Sequence, residues 1–178
     1  MVSDVDLYTP PSRADTEDHL IQGLNSYRQS RGLPALAKNG NADCLADKVA
    51  NRIQDRPCNR SSNTVASSTD FPDLVRDCNI DMNTTRDAVI LPVCVPDMVQ
   101  TLVLTNYTQT PYSRYFNNTR FTGVGTGHQD NWMVVVLSTT TPGGSFAEAA
   151  NTAISVLNAG LGHYLMPLLL GLVVVLAN

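Results

Sequence analysis

The run Trp132-Met-Val-Val-Val-Leu137 is apolar at every position. A strand with one face in water alternates apolar and polar residues, so a run without alternation belongs to a central strand with layers above and below it. Upstream, Phe121 to Val124 is expected to pair with it across Gly125-Thr-Gly-His-Gln-Asp-Asn131, a stretch rich in turn residues. Gly123-x-Gly125-x-Gly127 is read as serving that bend, because a dinucleotide fingerprint opens a helix instead of entering a strand. Helical period precedes the hairpin. Leu20, Ile21, Leu24 and Tyr27 recur one turn apart behind Asp15, Glu17 and Asp18, and Gly32 with Pro34 closes a helix of about 15 residues. Asn41 is expected to cap a second helix, ending by Pro57, whose Ala42, Leu45, Ala46, Val49, Ala50 and Ile53 form one apolar stripe. Its small alanines permit close packing. Phe71 to Arg76 and Tyr107 to Phe116 are expected to be a third and a fourth helix. Helices flanking an antiparallel hairpin make the fold class α/β, a sandwich with a small antiparallel sheet.

Two features of this domain belong to the secretory pathway. Asn59-Arg-Ser, Asn83-Thr-Thr, Asn106-Tyr-Thr and Asn117-Asn-Thr are N-glycosylation acceptors with no proline in the middle position. Cys44, Cys58, Cys78 and Cys94 form an even set without a two-residue gap, which reads as two disulfides and not as a zinc or redox pair. Three connectivities are open. A Cys44–Cys58 pair is disfavoured, because an intervening helix separates its ends at about 1.5 Å per residue.

The last 30 residues carry no Asp, Glu, Lys or Arg. The dense apolar part, Tyr164 to Ala177, is short against the roughly 20 residues of a spanning helix, and Pro167 and Gly171 interrupt it. Small residues, a spacer of about 8–12 residues and a hydrophobic tail of about 10–20 compose the signal for a glycosylphosphatidylinositol (GPI) anchor. Asn151-Thr-Ala153, Ile154 to His163, and Tyr164 to Ala177 supply these parts in order, with Ser145, Ala149 and Asn158 as further attachment candidates. A core helix and a tail-anchored single span are the alternatives. The amino terminus shows no basic region and no apolar stretch of a secretory leader, from which a truncated start is expected. The chain therefore divides into a disordered segment over 1–14, a domain over 15–144, a linker with the attachment region over 145–163, and the tail over 164–178.

Leu24-Asn-Ser-Tyr-Arg28, Gly32-Leu-Pro-Ala-Leu36 and the alanine-bearing Asn41 to Ala50 resemble the opening helices of the CAP superfamily, the cysteine-rich secretory, antigen 5 and pathogenesis-related proteins. Asn106-Tyr-Thr-Gln109, Thr122-Gly-Val-Gly125 and Trp132-Met-Val-Val-Val136 resemble its later helix and strands. The whole chain is similar to the plant uncharacterised GPI-anchored glycoproteins that carry a CAP-like (SCP) domain. That resemblance implies a CAP-like α-β-α sandwich at the extracellular face of the cell membrane, attached to its outer leaflet through the anchor. Many CAP proteins hold a metal in a central cleft with two histidines, one soon after a cysteine and one opening His-Tyr-Thr-Gln. Here Cys58-Asn-Arg-Ser-Ser62 has no histidine and Asn106 takes the second position beside Tyr107. Zinc favours imidazole, thiolate or carboxylate over an amide, so the cleft at Asn106 and Tyr107 is read as degenerate, with no metal expected. Asn106 is also a sequon, and either a glycan at the edge of the cleft or a buried, unmodified amide fits the sequence.

No catalytic residue and no cofactor are expected. His19, His128 and His163 are distant in sequence, and His128 beside Asp130 reads as a solvated pair in a turn. Trp132, Tyr107, Tyr112 and Tyr115 read as core before cleft. The formal charge of −4 lies at or before Glu148 with basic residues scattered, which excludes a nucleic-acid footprint. The expected function is a non-catalytic binding or interaction module for a lipid, cell-wall or receptor ligand. A sterol or lipid carrier, a residual hydrolase and a single-pass tail-anchored protein are the alternatives.

Overall fold

The computed structural model describes residues 12–58 and 63–150. Helix α1 spans Arg13–Ser30, with Ser12 and Asp15 forming a reciprocal capping box. Strand β1 is Ala37–Lys38 and helix α2 is Gly40–Ile53. The helix cap is Asn39, not Asn41: its side chain accepts from the amides of Asn41 and Ala42. Helix α3 is Pro72–Asp77, strand β2 is Val89–Cys94 and helix α4 is Gln100–Thr108. Helix α5, Ser113–Phe116, is separate. The single helix expected over Tyr107–Phe116 is thus two, broken where Pro111 interrupts the ladder. Strands β3, Gly123–Gln129, and β4, Trp132–Ser138, complete the chain of elements.

The four strands lie in the order β1-β3-β4-β2, with β1 parallel to β3 and the other pairs antiparallel. Strand β4 is central and splits its side chains between two cores. Trp132, Val134 and Val136 pack with α2, α3 and Phe146. Met133, Val135 and Leu137 pack with Leu20, Leu24, Val103, Tyr107 and Phe116 of α1, α4 and α5. Both faces are dry, so the alternation that marks a half-exposed strand is missing.

The glycine run is strand, not turn. Strand β3 continues through Gln129, and only Asp130 and Asn131 turn the chain, with Asp130 at φ 50°. The reason is α2. A Cβ on Gly125 would sit 2.1 Å from the carbonyl carbon of Ala42, and one on Gly127 would sit 2.3 Å from the amide nitrogen of Asp47. Helix backbone lies directly on strand backbone, and the alanine stripe of α2 provides the matching low surface. The Cys44–Cys78 disulfide joins α2 to the end of α3, and Cys58–Cys94 joins the segment after α2 to the end of β2; Cys44 and Cys58 do not pair.

The outer edge of β2 is covered along its length. Ile90 exchanges both backbone bonds with Ala66, at 2.9 and 3.0 Å. Pro92 has no amide hydrogen to offer, its carbonyl accepts from the Tyr112 hydroxyl at 3.0 Å, and the Cys94 amide donates to Asn63 Oδ1 at 3.0 Å.

At both termini the folded body exceeds the expected domain of 15–144. Arg13 and Ala14 are helical. At the other end Phe146 is 1% exposed, and Glu148 forms an isolated antiparallel bridge with Ile80. Ser145 and Ala149, read as linker, belong to the body. Residues 1–11 of the segment 1–14 expected to be disordered, the sequon Asn59, the attachment candidates Asn151 and Asn158 and the tail 164–178 lie outside the described residues.

Candidate functional site

The Leu24–Arg28 motif is structural. Leu20, Ile21, Leu24 and Arg28 all point inward from α1. The Asn25 side chain donates to the carbonyl of Leu36 at 3.1 Å and accepts from its amide at 2.8 Å, holding the chain as it enters β1. Arg28 is fully buried among carbonyls. Its guanidinium donates to Pro34 at 2.8 Å, Phe116 at 2.9 Å, Phe121 at 3.2 Å and Asn118 at 3.3 Å. Five donors in a rigid fork make Arg the side chain that can satisfy several backbone oxygens at once.

Asn106 and Tyr107 stand next to each other on α4 and do different things. Tyr107 is fully buried, and its hydroxyl lies 3.0 and 3.1 Å from the carbonyls of Leu91 and Met133. Burial holds this phenol well above its ordinary range, and pushes that of Tyr112 up to about 12. Both therefore act as neutral donors. Tyr107 also stacks on Tyr112 at 6.1 Å and meets Phe116 edge-on at 5.7 Å, so it is core and not cleft. Trp132 is core as well.

Asn106 faces a groove. Its Nδ2 donates to the Leu102 carbonyl at 2.9 Å. On one side the Cys58–Cys94 disulfide, Asn63, Pro96 and Leu102 enclose about 520 Å³ with it. On the other, Asn63, Thr110, Pro111 and Tyr112 enclose about 350 Å³. Both spaces fall in the usual range of ligand sites, about 300–1,000 Å³, and share Asn63 and Asn106 as their common wall. The lining is apolar side chains, amides, a hydroxyl, a disulfide and the neutral Tyr112, so a ligand here meets hydrogen-bonding groups without charge. Leu102, 51% exposed, projects from the same helix, and Val99, 43% exposed, immediately precedes it.

Charge gathers elsewhere, where α1 and α2 meet β3. His128 Nδ1 lies 3.0 Å from Glu17 Oε1, with both side chains 17% exposed. The partner of His128 is Glu17, not Asp130, which is exposed on the turn. Arg13 bridges Glu17, at 3.3 Å, and Asp47. Asp43 accepts from the Thr126 amide at 2.7 Å, filling the edge of β3 beyond the short β1. Burial raises the carboxyls of Asp43 and Asp47 above the ordinary carboxylate value. A crevice of about 170 Å³ lies nearby between α1 and α4, lined by His19, Leu20, Val103, Leu104 and Met133 among others. Among the described residues, no three His, Cys, Asp or Glu side chains are arranged to hold a metal ion.

Residues 17–137 match the family described as "Uncharacterized GPI-anchored protein At5g19230-like domain". The chain belongs to that family. A relative from Arabidopsis thaliana, "Uncharacterized GPI-anchored protein At3g06035", is 42% identical over 147 residues, covering 79% of this chain and 74% of the relative. Two solved structures share the fold. A cysteine-rich secretory protein from Staphylococcus aureus superposes with a TM-score of 0.54 at 12% identity, over 72% of this chain and 40% of that one. An extracellular protein with an SCP domain from Bacillus anthracis gives 0.53 at 16%, over 72% and 44%. The chain spans less than half of either structure. This family member therefore has the CAP-like α-β-α sandwich.

Within this GPI-anchored family member, Asn83 and Asn117 are exposed and Asn106 is half-buried. Asn63 and Asp43 carry no functional signal in the sequence, and Glu17 reads there only as part of an acidic helix start. No local pattern marks Asn63, whose role depends on β2. Arg28 left a signal: it continues the i, i+4 spacing of Leu20 and Leu24, which places a charge on the buried stripe.

Proposed function

We propose that this chain is a GPI-anchored glycoprotein on the extracellular face of the plant cell membrane, whose CAP-like domain binds an uncharged partner and performs no catalysis. The observation that carries this reading is the Asn63–Asn106 groove. At the position where the CAP resemblance implies a histidine, Asn106 presents an amide already bonded to the Leu102 carbonyl. An amide is a poor zinc ligand, while amides beside Leu102, Pro96 and Pro111 suit a neutral carbohydrate or peptide of the cell wall. The Glu17–His128 pair does not favour an enzyme, since Arg13 also holds Glu17 and binds it to α2 through Asp47. The crevice between α1 and α4 is smaller than the usual range for a bound small molecule, which disfavours a sterol carrier.

Three measurements test the reading. Phosphatidylinositol-specific phospholipase C is expected to release the protein from plant cells. Chelator is expected to leave the melting temperature unchanged, and a chelator-sensitive melt would overturn the metal-free site. Neutral cell-wall oligosaccharides, titrated against the released protein, are expected to bind at least tenfold more weakly to Leu102→Asp. Binding unaffected by that substitution would remove the groove from the account.

A further inference from the structure

Three arginines far apart in sequence lie over aromatic rings at one end of the domain. The guanidinium carbon of Arg31 is 5.4 Å from the centre of the Tyr27 ring, that of Arg114 is 4.8 Å from Tyr115, and that of Arg120 is 5.9 Å from Phe121. Tyr115 and Phe121 are neighbours, with ring centres 6.3 Å apart. Arg28 joins the two halves of this patch. It sits on the last turn of α1 between Tyr27 and Arg31, and its guanidinium bonds the carbonyls of Phe116, Asn118 and Phe121. The fold thereby gathers charges that the sequence scatters. All three arginines over rings are exposed. Arg120 pairs with Asp87 at 2.9 Å, whereas neither Arg31 nor Arg114 forms an ion pair with a carboxylate of the described residues. The acidic groups of α1, Asp15, Glu17 and Asp18, stand at its other end, about 20 Å from Arg31 at the rise of a helix.

We propose that this patch is a second binding site, sharing no residue with the Asn63–Asn106 groove, and that it takes an acidic polysaccharide, a chain of uronic acid residues, through Arg31 and Arg114 with Arg120 beside them. Only the setting, a plant cell wall, is taken from the reading above. A guanidinium over a ring is held by the ring's electron-rich face and keeps its N–H edge for a carboxylate, which it grips with two parallel hydrogen bonds. Side chains ordered in this way lose less freedom when a ligand arrives. A uronic acid chain repeats its carboxylate on every sugar, so once one arginine is engaged the second contact forms within the same complex. Nucleic acid stacks its bases on open aromatic faces, and these rings already carry guanidinium groups. A bilayer takes up exposed apolar side chains as well as charge, and the exposed large apolar residues, Val99 and Leu102, stand by the groove and not in this patch.

Calorimetric titration with oligogalacturonate tests this. The protein is purified from plant cells with its glycans in place, because the exposed acceptor Asn117 lies in the same patch. Binding is expected to weaken as salt is raised, since the charges are exposed, and to weaken at least tenfold in the double variant Arg31→Gln, Arg114→Gln with its melting temperature unchanged. Tyr115→Leu keeps every charge and removes one ring, and is expected to weaken binding at least threefold. An affinity equal in the parent and the double variant overturns the site. So does an equal loss in the control Arg56→Gln, Arg76→Gln, two exposed arginines elsewhere, which would reduce the effect to overall charge. Tighter binding to vesicles containing phosphatidylserine than to oligogalacturonate overturns the choice of ligand in favour of a membrane. Neutral oligosaccharides that respond to Leu102→Asp and not to the double variant keep the groove apart from this site, so either can fail without the other.

Discussion

Arg28 donates from Nη1 to the carbonyl of Phe116 at 2.9 Å, across 88 positions of sequence. Through this bond the last turn of α1 holds the end of α5, and through Phe121 it also holds the chain entering β3. A charged group carried into the core is here the device that closes the α1/α4/α5 layer.

Removing that fork strands several buried carbonyls, each costing about 1–3 kcal/mol when left without a partner. Arg28→Ala is expected to destabilise by at least about 3 kcal/mol. Arg28→Lys keeps the charge but not the planar set of donors, and is expected to recover only part of the loss. Urea denaturation of the three proteins decides this, and a lysine variant as stable as the parent would discard the multiple-carbonyl account.

Gly125→Ala places a methyl where the backbone of Ala42 already stands, 2.1 Å from the new atom. Because helix and strand backbones must separate to admit it, the cost is expected to reach or exceed the 1–3 kcal/mol of ordinary overpacking. Thermal melts compared with Gly40→Ala, where nothing lies within 4 Å, provide the control.

Asp43 holds the Thr126 amide while burial, its largest influence, raises its carboxyl above the ordinary value. A raised folded-state pKa means the folded protein binds the extra proton. The stabilisation from that proton is complete below the unfolded value near 4 and fades as pH rises through the folded value. Asp43→Asn retains an acceptor and carries no charge, so its stability is expected to fall less between pH 4 and pH 7. Asp43→Ala loses the bond and is expected to cost about 1–3 kcal/mol. Chemical denaturation across that pH range separates the two, and an asparagine variant as weak as the alanine one contradicts the reasoning.

Cys44→Ala with Cys78→Ala opens a bridge spanning 34 residues. The loss of a native disulfide from a small secreted domain costs about 2–5 kcal/mol. The double variant is expected to melt well below the parent under oxidising conditions, and reductant should lower the parent's melting temperature. Equal melting with and without reductant would speak against both bridges contributing.

The sequence was most readable where one structural rule acted alone. Six unbroken apolar residues marked β4 as central, and the periodic stripes of α1 and α2 stood out because one face of each meets a core. Reading failed where tertiary contact overrode local preference. Gly123-x-Gly125-x-Gly127 has the composition of a turn, and it is a strand because α2 lies against its backbone. Strand β2 was hidden by Pro92, which only an edge strand accepts. Family resemblance placed the cleft at Asn106 and Tyr107, yet Tyr107 is core, and Asn63, which lines the groove beside Asn106, is held by the Cys94 amide 31 residues away. The partners Glu17 and His128 are 111 residues apart, beyond any local pattern.

The covered edge of β2 has a meaning for life at high density on a surface. Strand edges recruit one another when their amides and carbonyls are free, and anchoring to a bilayer confines neighbouring molecules to two dimensions where encounters are frequent. Ala66, Tyr112 and Asn63 occupy outward groups of Ile90, Pro92 and Cys94, so the β2 edge offers little template for another copy. On that side of the sheet, crowded copies would find few free strand groups to pair with.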